Sequence, residues 1–179
     1  MPARLAACTA AALLALATAP AGQAAKKKPK PLDGTAVITF SGVGAIKLGM
    51  TLAEARKAAR RTILAGAEVT KDCRHDTLLP RRFGLATLRF KTRIRVLYIT
   101  RTVMPTRRGI RVNDTVERLQ NRYGSSLTER PSDVSPQTRI FELVDGNREI
   151  QFSVDSGTSR IFQIATGLRP EVDFSEGCA

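Results

Sequence analysis

The 179-residue sequence is poor in several side chains that carry chemistry, with no tryptophan, two tyrosines, three cysteines and one histidine. So few aromatic rings are poorly suited to stacking on bases, which argues against a nucleic-acid-binding protein. A structural metal site usually needs about four ligands, and one histidine with scattered cysteines does not supply them. The sequence also has no phosphate-binding loop and no nucleophile motif. The chain is therefore predicted to be non-catalytic, with no cofactor and no metal.

One polar cluster, KDCRHD at Lys71 to Asp76, is the only segment of the sequence that looks like a site. Cys73 and His75 could act as nucleophile and base, or the cluster could bind a metal. A hydrolase with an unrecognised site is therefore one alternative function. The other interpretation is a surface loop anchored by a disulfide. Glu142 and Glu149, which could form a carboxylate pair, are predicted to be solvated strand residues.

The chain begins with the pattern of a secretory signal peptide, assigned to residues 1–24. One positive charge precedes an apolar run from Leu5 to Ala19, which is followed by small residues. Cleavage is predicted near Ala21 or Ala24, so the protein is expected to be secreted or extracytoplasmic. Cys8 follows small residues as in bacterial lipoproteins, although here the apolar run comes after the cysteine, and its lipidation is left open.

Positive charge is concentrated in the first part of the chain. Residues 25–34 form a basic Lys/Pro tether containing KKKPKP, which lacks the apolar side chains needed for packing. Residues 31–107 hold fifteen Lys and Arg against five acids, whereas residues 108–179 hold nine against eleven. This asymmetry indicates either a surface for an anionic partner or only an arginine-rich, solvated exterior.

A repeated pattern divides the rest of the sequence into two parts, 35–107 and 108–179. Residues 45–59, AIKLGMTLAEARKAA, align with residues 109–123, GIRVNDTVERLQNRY, at an offset of 64. Both copies have the apolar spacing of an amphipathic helix. Thr51 and Glu54 form a capping-box pattern, and Asp114 or Thr115 can cap the second helix. The first helix is predicted to run from Leu52 to about Ile63.

Alternating segments after each helix predict antiparallel strands. In the second part, residues 138–144, 148–154 and 158–166 predict a three-stranded meander. The predicted fold class is therefore α+β, with two tandem repeats after the signal peptide, each a helix packed on an antiparallel β-meander. The residues predicted to face the helices are Leu88, Phe90, Leu97, Ile99, Phe141, Leu143, Ile150, Phe152, Val154, Phe162 and Ile164. The opposite, free face is predicted to carry Thr87, Arg89, Val96, Tyr98, Gln151, Ser153 and Gln163.

Removal of the signal peptide leaves two cysteines, Cys73 and Cys178. In an exported protein such a pair is predicted to form a disulfide, which would join the first repeat to the end of the chain. Closing a loop of this length stabilises by roughly 4 to 5 kcal/mol on the chain-entropy estimate.

The segment from Ile46 to Thr51, IKLGMT, followed by an acidic helix start, resembles the helix entry of small exported repeat domains. Two families are similar in this way: the β-lactamase-inhibitor-protein-like domains and the small lipoprotein of the outer-membrane β-barrel assembly machinery. The resemblance covers about residues 42–166, and the second copy departs from it at Asn113 and Asp114. It implies a non-catalytic fold whose exposed sheet meets a protein partner.

These observations predict a monomeric, non-catalytic exported binding or scaffold protein that contacts a protein partner in the cell envelope or outside the cell. The free sheet face would supply the contacts, through Arg89, Tyr98, Gln151 and Gln163. The alternative is electrostatic binding to an anionic cell-envelope polymer or membrane surface through the basic first repeat.

Overall fold

The computed structural model describes residues 32–173. These residues are mostly β, with 44% in strands and 18% in helices. The strands are β1 (Ile38–Thr39), β2 (Gly42–Val43), β3 (Ile46–Lys47), β4 (Ile63–Leu64), β5 (Glu68–Thr70), β6 (Cys73–Leu78), β7 (Leu85–Phe90), β8 (Arg93–Ile99), β9 (Thr128–Pro131), β10 (Thr138–Asp145), β11 (Arg148–Asp155) and β12 (Arg160–Leu168). The two α-helices are α1 (Leu52–Ala59) and α2 (Val116–Tyr123), and short 3-10 helices span Arg81–Phe83, Gly124–Ser126 and Glu171–Asp173.

A single antiparallel sheet of nine strands runs through both halves of the described chain. Its order is β4-β6-β7-β8-β12-β11-β10-β9, with β5 paired to β6, while β1, β2 and β3 form a small separate sheet. The halves join where β8 pairs with β12, in a register that sets Ile99 opposite Ile164 and Val96 opposite Gly167. All other pairs of the nine-stranded sheet, β4–β6 among them, join strands of the same half, so the β8–β12 ladder is the contact that makes the sheet continuous.

The predicted α+β fold of two repeats, each a helix on its own meander, is therefore wrong. The described chain is dominated by the nine-stranded sheet, and its two α-helices have only eight residues each. Helix α1 ends at Ala59 because Arg60 adopts a left-handed conformation with φ of 50°. The chain then extends, and Ile63, predicted as the last helical residue, begins strand β4.

Both helices begin where the sequence predicts. Thr51 Oγ1 accepts a hydrogen bond from the Glu54 amide (3.2 Å), and the Glu54 carboxylate accepts one from the Thr51 amide (2.7 Å). This capping box satisfies two amides that the first turn leaves without partners. At α2 the cap is Thr115, whose hydroxyl accepts from the Arg118 amide at 3.3 Å. The capping threonines also bridge to the sheet, Thr51 to Arg93 and Thr115 to Arg160, and so fix each helix start.

The main core lies between the nine-stranded sheet and a layer made of the two helices and the small sheet. Helix residues Ala55, Ala59, Val116 and Leu119 are buried there. Among the residues predicted to face the helices, those found in this core are Leu97, Ile99, Phe141, Leu143, Ile150, Phe152, Val154 and Ile164.

The prediction was wrong for three of the residues expected to face the helices. Phe162 is 47% exposed and Ile161 is buried in its place, because the β11–β12 register shifts between Ser153 and Val154. Leu88 and Phe90 belong instead to a second apolar cluster. Leu88 pairs with Val96 across the β7–β8 ladder, and directly paired residues point to the same face of a sheet.

This second cluster lies on the opposite face of the sheet and is covered in part by the 3-10 helix Glu171–Asp173. Its buried members are Cys73, Leu88, Val96, Tyr98, Ala165 and Val172. Gly167 makes the close approach of the 3-10 helix feasible. A Cβ at this position would stand 2.8 Å from Val172 Cβ and 3.0 Å from Val96 Cγ2.

Within residues 32–173, no helix combines the length and apolar character required to cross a membrane.

Candidate functional site

The four residues predicted to bind a partner do not form one exposed surface. Arg89 faces the helix side, where its Nε lies 2.9 Å from Asp76 Oδ2 and its Nη2 lies 3.1 Å from Asp76 Oδ1. The Asp76 side chain is fully buried, and these hydrogen bonds raise the pKa of Arg89 above its ordinary value. The Arg89 guanidinium is therefore committed to an internal ion pair.

Tyr98, Gln151 and Gln163 do share the opposite face, because Ala165 pairs with both Tyr98 and Gln151. Tyr98 is 9% exposed and Gln151 is 8% exposed, whereas Gln163 is half-buried. Burial raises the pKa of the Tyr98 hydroxyl to about 12. The ring of Tyr98 stacks on that of His75, with centroids 6.1 Å apart. This face therefore offers little of the predicted polar contact surface.

The KDCRHD segment is divided between the two faces of strand β6. Cys73 is fully buried in the second apolar cluster, and His75 lies on the same face, beside Tyr98. Asp76 points to the helix side, since neighbouring strand residues alternate. The three side chains therefore do not converge on one point. Cys178 lies outside the described residues, so its pairing with Cys73 stays a prediction.

A cleft of about 560 Å³ opens between β1, the end of α2 and the β10–β11 hairpin. Three exposed arginines, Arg107, Arg108 and Arg148, line it together with one carboxylate, Asp145. We call it the arginine cleft. Its other lining residues are Ile38, Thr39, Phe40, Ser41, Tyr123, Ser126, Leu143, Val144 and Ile150. Hydroxyl and apolar groups thus surround a concentration of positive charge.

The wall of the arginine cleft beside α2 is held in place by several contacts. Arg108 Nη1 donates to the Arg122 carbonyl at 2.5 Å, and the Arg108 guanidinium lies 5.0 Å from the centre of the Tyr123 ring. The Tyr123 hydroxyl donates to Thr106 Oγ1 at 2.9 Å. Burial raises the pKa of Tyr123, against smaller lowering contributions from Thr106 and Arg108. Arg108 is therefore presented on a fixed aromatic support.

The side chains of Arg107 and Arg148 are less restrained than that of Arg108. Neither forms an ion pair within residues 32–173, although Arg148 is opposite Asp145 in the β10–β11 ladder. Their guanidinium groups remain available to an anion, because a planar guanidinium can donate two parallel hydrogen bonds to a phosphate or a carboxylate.

A second cleft of about 570 Å³ adjoins the first and shares Thr39 and Arg107 with it. It adds the cation Lys47 and the carboxylate of Asp33. Partial burial lowers the pKa of Lys47, and the nearby Arg107 charge lowers it further. Arg107 is thus the one cation that lines both clefts, with Arg108 and Arg148 in the first and Lys47 in the second.

Glu142 and Glu149, predicted to be solvated, are 5% and 0% exposed, so that prediction was wrong. With Asp173 they form the one described group of side chains whose oxygens, all within 4.8 Å of one another, come near metal-binding spacing. Arg130 and Arg169 already pair with these carboxylates, and we assign no metal to them. The burial could not be foreseen because the 3-10 helix that covers the two glutamates lies about 25 residues further along the chain.

Comparison with known proteins gives little further guidance. No protein family and no curated protein matches the chain. A solved structure, that of the uncharacterized protein yfeY from Escherichia coli, is similar with a TM-score of 0.49 and 12% identity, over 74% of this chain and 99% of that one. The resemblance to β-lactamase-inhibitor-like domains and the assembly lipoprotein stays a prediction.

Proposed function

We propose that this chain is a non-catalytic, exported binding protein that holds an anionic cell-envelope polymer in the arginine cleft. The observation that carries the proposal is the convergence of Arg107, Arg108 and Arg148 on a depression that contains one carboxylate, Asp145. Grooves lined with charge of one sign concentrate ligands of the opposite sign. The predicted signal peptide supports export.

The shape of the cationic surface favours an extended ligand over a single small ion. Thr39 and Arg107 line both clefts, and Lys47 adds a further cation in the second cleft. A chain bearing phosphate or carboxylate groups at intervals would neutralise several of these cations at once. Release of the counterions bound to such a polymer then drives association.

The arginine cleft suits binding better than the sheet face predicted from the sequence. On that face Tyr98 and Gln151 are buried, and Arg89 points to the other side, where it pairs with Asp76. In the cleft, by contrast, all three arginines are exposed. The protein partner predicted from the sequence stays a prediction with no surface assigned to it.

The proposal is tested by fluorescence anisotropy with labelled polyphosphate as the probe polymer. Binding should be strong at low ionic strength and should be lost by about 0.5 M NaCl, where the screening length falls to a few Å. The double variant Arg107→Ala/Arg148→Ala should bind more weakly. Arg81→Ala/Arg82→Ala is the matched control, because it also removes two positive charges and both arginines are exposed and line neither cleft. Equal affinity of the double variant and the control would refute the cleft as the site.

A further inference from the structure

The three carboxylates that cluster on the face opposite the helices belong to three different elements. Glu142 lies on β10, Glu149 on β11 and Asp173 at the end of the 3-10 helix Glu171–Asp173. We call this group the carboxylate cluster. It is the place where the last described element of the chain meets the sheet.

Two arginines link the members of the carboxylate cluster. Arg130, on β9, contacts the Glu142 carboxylate, and its Nη2 lies 3.1 Å from Asp173 Oδ1. Arg169 places Nε 3.1 Å from Glu149 Oε2 and 3.7 Å from Asp173 Oδ2. Each arginine therefore ties the 3-10 helix to a glutamate of the sheet.

Within residues 32–173, Glu149 is the member of the carboxylate cluster whose carboxylate lacks hydrogen bonds. Its side chain is fully buried, and among residues 32–173 neither of its oxygens has a hydrogen-bond partner, although Arg169 is within ion-pair distance. Three ionised carboxylates beside two guanidinium groups leave one net negative charge. A proton on Glu149 removes that excess, and a neutral carboxyl tolerates burial far better than a charged one.

The other charged groups on this side do not alter that balance. Glu171, in the same 3-10 helix, pairs with Arg95 of β8 at 2.8 Å. Asp133 lies 3.7 Å from Arg130 and is 89% exposed, so solvent screens it. The charge facing Glu149 from β9, β10, the chain after β12 and the 3-10 helix is thus that of Arg130, Glu142, Arg169 and Asp173.

We propose that the carboxylate cluster is a proton-operated clasp, which holds the 3-10 helix Glu171–Asp173 on the sheet while Glu149 is protonated and loosens it when Glu149 ionises. The surface of the sheet beneath this 3-10 helix is apolar, because Val172 is buried against Val96 and Ala165. Release of the 3-10 helix would uncover this part of the second apolar cluster. The proposal is independent of the arginine cleft.

The direction of the pH effect follows from the environment of Glu149. Burial, followed by the charges of Glu142 and Asp173, raises its pKa to about 7, against the opposing effect of Arg169 and Arg130. Release of the 3-10 helix exposes Glu149 to water and moves the Asp173 charge away from it. The pKa of Glu149 then returns toward the ordinary 4.5. The attached state thus binds the proton more tightly, so attachment is strongest below pH 4.5 and is lost as pH rises through about 7.

Amide hydrogen exchange of the purified protein by NMR tests the clasp. The Asp173 amide donates to the Pro170 carbonyl at 2.9 Å and reports on the 3-10 helix. After correction for base catalysis, its protection should fall between pH 5 and pH 8, by up to roughly 70-fold if the whole pKa shift is coupled to release. Glu149→Gln, which imitates the protonated state, should abolish this fall, whereas Glu129→Gln, an exposed control on β9, should keep it.

Two outcomes would overturn the proposal: protection in the wild-type protein that does not change with pH, or a pH-dependent fall that persists in Glu149→Gln. A second measurement applies if that variant does not fold. Carbon-13 carboxyl chemical shifts of the wild-type protein should show Glu149 titrating near pH 7, and a titration near pH 4.5 would contradict the clasp.

Discussion

Arg89 and Asp76 form a two-point ion pair on the helix-facing side of the sheet, in which Asp76 is completely buried and Arg89 is 13% exposed. Thr87 Oγ1 and the Gly66 amide also donate hydrogen bonds to this carboxylate. A side chain predicted to contact a partner is thus part of the interior. The pair links β6 to β7 and makes Arg89 a determinant of stability.

Replacing Arg89 by alanine should destabilise the fold by about 3 to 5 kcal/mol, since it leaves the Asp76 charge buried without its partner. Guanidinium-induced unfolding gives the free energy. The control is Arg74→Ala, which breaks an ion pair with Glu68 whose side chains are both more than 40% exposed. Such exposed pairs contribute about 0 to 1 kcal/mol. Equal losses in the two variants would contradict the interior role of Arg89.

Thr51→Ala should cost about 1 kcal/mol of stability, because the capping box of α1 loses the hydroxyl that accepts a hydrogen bond from the Glu54 amide. Thr102→Ala, at an exposed threonine outside the helices, is the control and should change stability little. Thermal unfolding followed by circular dichroism measures both. A Thr51 variant as stable as the control would show that the cap contributes nothing.

Gly167→Ala should destabilise the protein by about 1 to 3 kcal/mol through overpacking. The new methyl group would stand 2.8 Å from Val172 Cβ, so the 3-10 helix must move away from the sheet. Hydrogen exchange should be faster at the Asp173 amide, which donates to the Pro170 carbonyl. Gly157→Ala is the matched control, because its nearest contact, Asp155 Oδ1, would be 3.6 Å away. Unchanged exchange at Asp173 would argue against close packing of this helix on Gly167.

Tyr98 should ionise at about pH 12 in the folded protein because burial disfavours the phenolate. The chain has two tyrosines and no tryptophan, so ultraviolet absorbance follows the phenolates without interference. Tyr98→Phe should remove the late step. The variant should be at least as stable as the wild type, since the Tyr98 hydroxyl has no hydrogen-bond partner within residues 32–173. A Tyr98 titration near pH 10 would show that the ring is accessible.

Local features of the fold could be predicted from the sequence, and long-range ones could not. The Thr51–Glu54 spacing marks the start of α1, and turn residues mark the hairpins that join β10, β11 and β12. The alternation in β7 predicts two faces but not which one meets the helices. That choice depends on the pairing of Leu88 with Val96, which a one-residue change of register reverses.

The arginine cleft and the carboxylate cluster are both products of tertiary packing. Arg107 and Arg148 are about 40 residues apart and meet because β1, α2 and the β10–β11 hairpin converge. Glu149 reads as an ordinary polar strand position until the 3-10 helix covers it. The excess of positive charge in the first part of the chain left open an anionic ligand or a solvated exterior, and it did not indicate that Arg108 and Arg148, from the second part, contribute to the same surface.

The most direct test of the proposed function is the salt dependence of polyphosphate binding in the wild type, Arg107→Ala/Arg148→Ala and Arg81→Ala/Arg82→Ala. We expect the slope of log affinity against log salt to fall by about one for each cleft arginine that contacts the polymer, and to stay unchanged in the control, whose arginines lie outside the clefts. The cleft variant should therefore lose about two units of slope and most of its low-salt affinity. Equal slopes in the two double variants would contradict the account, because polymer binding would then depend on net charge alone.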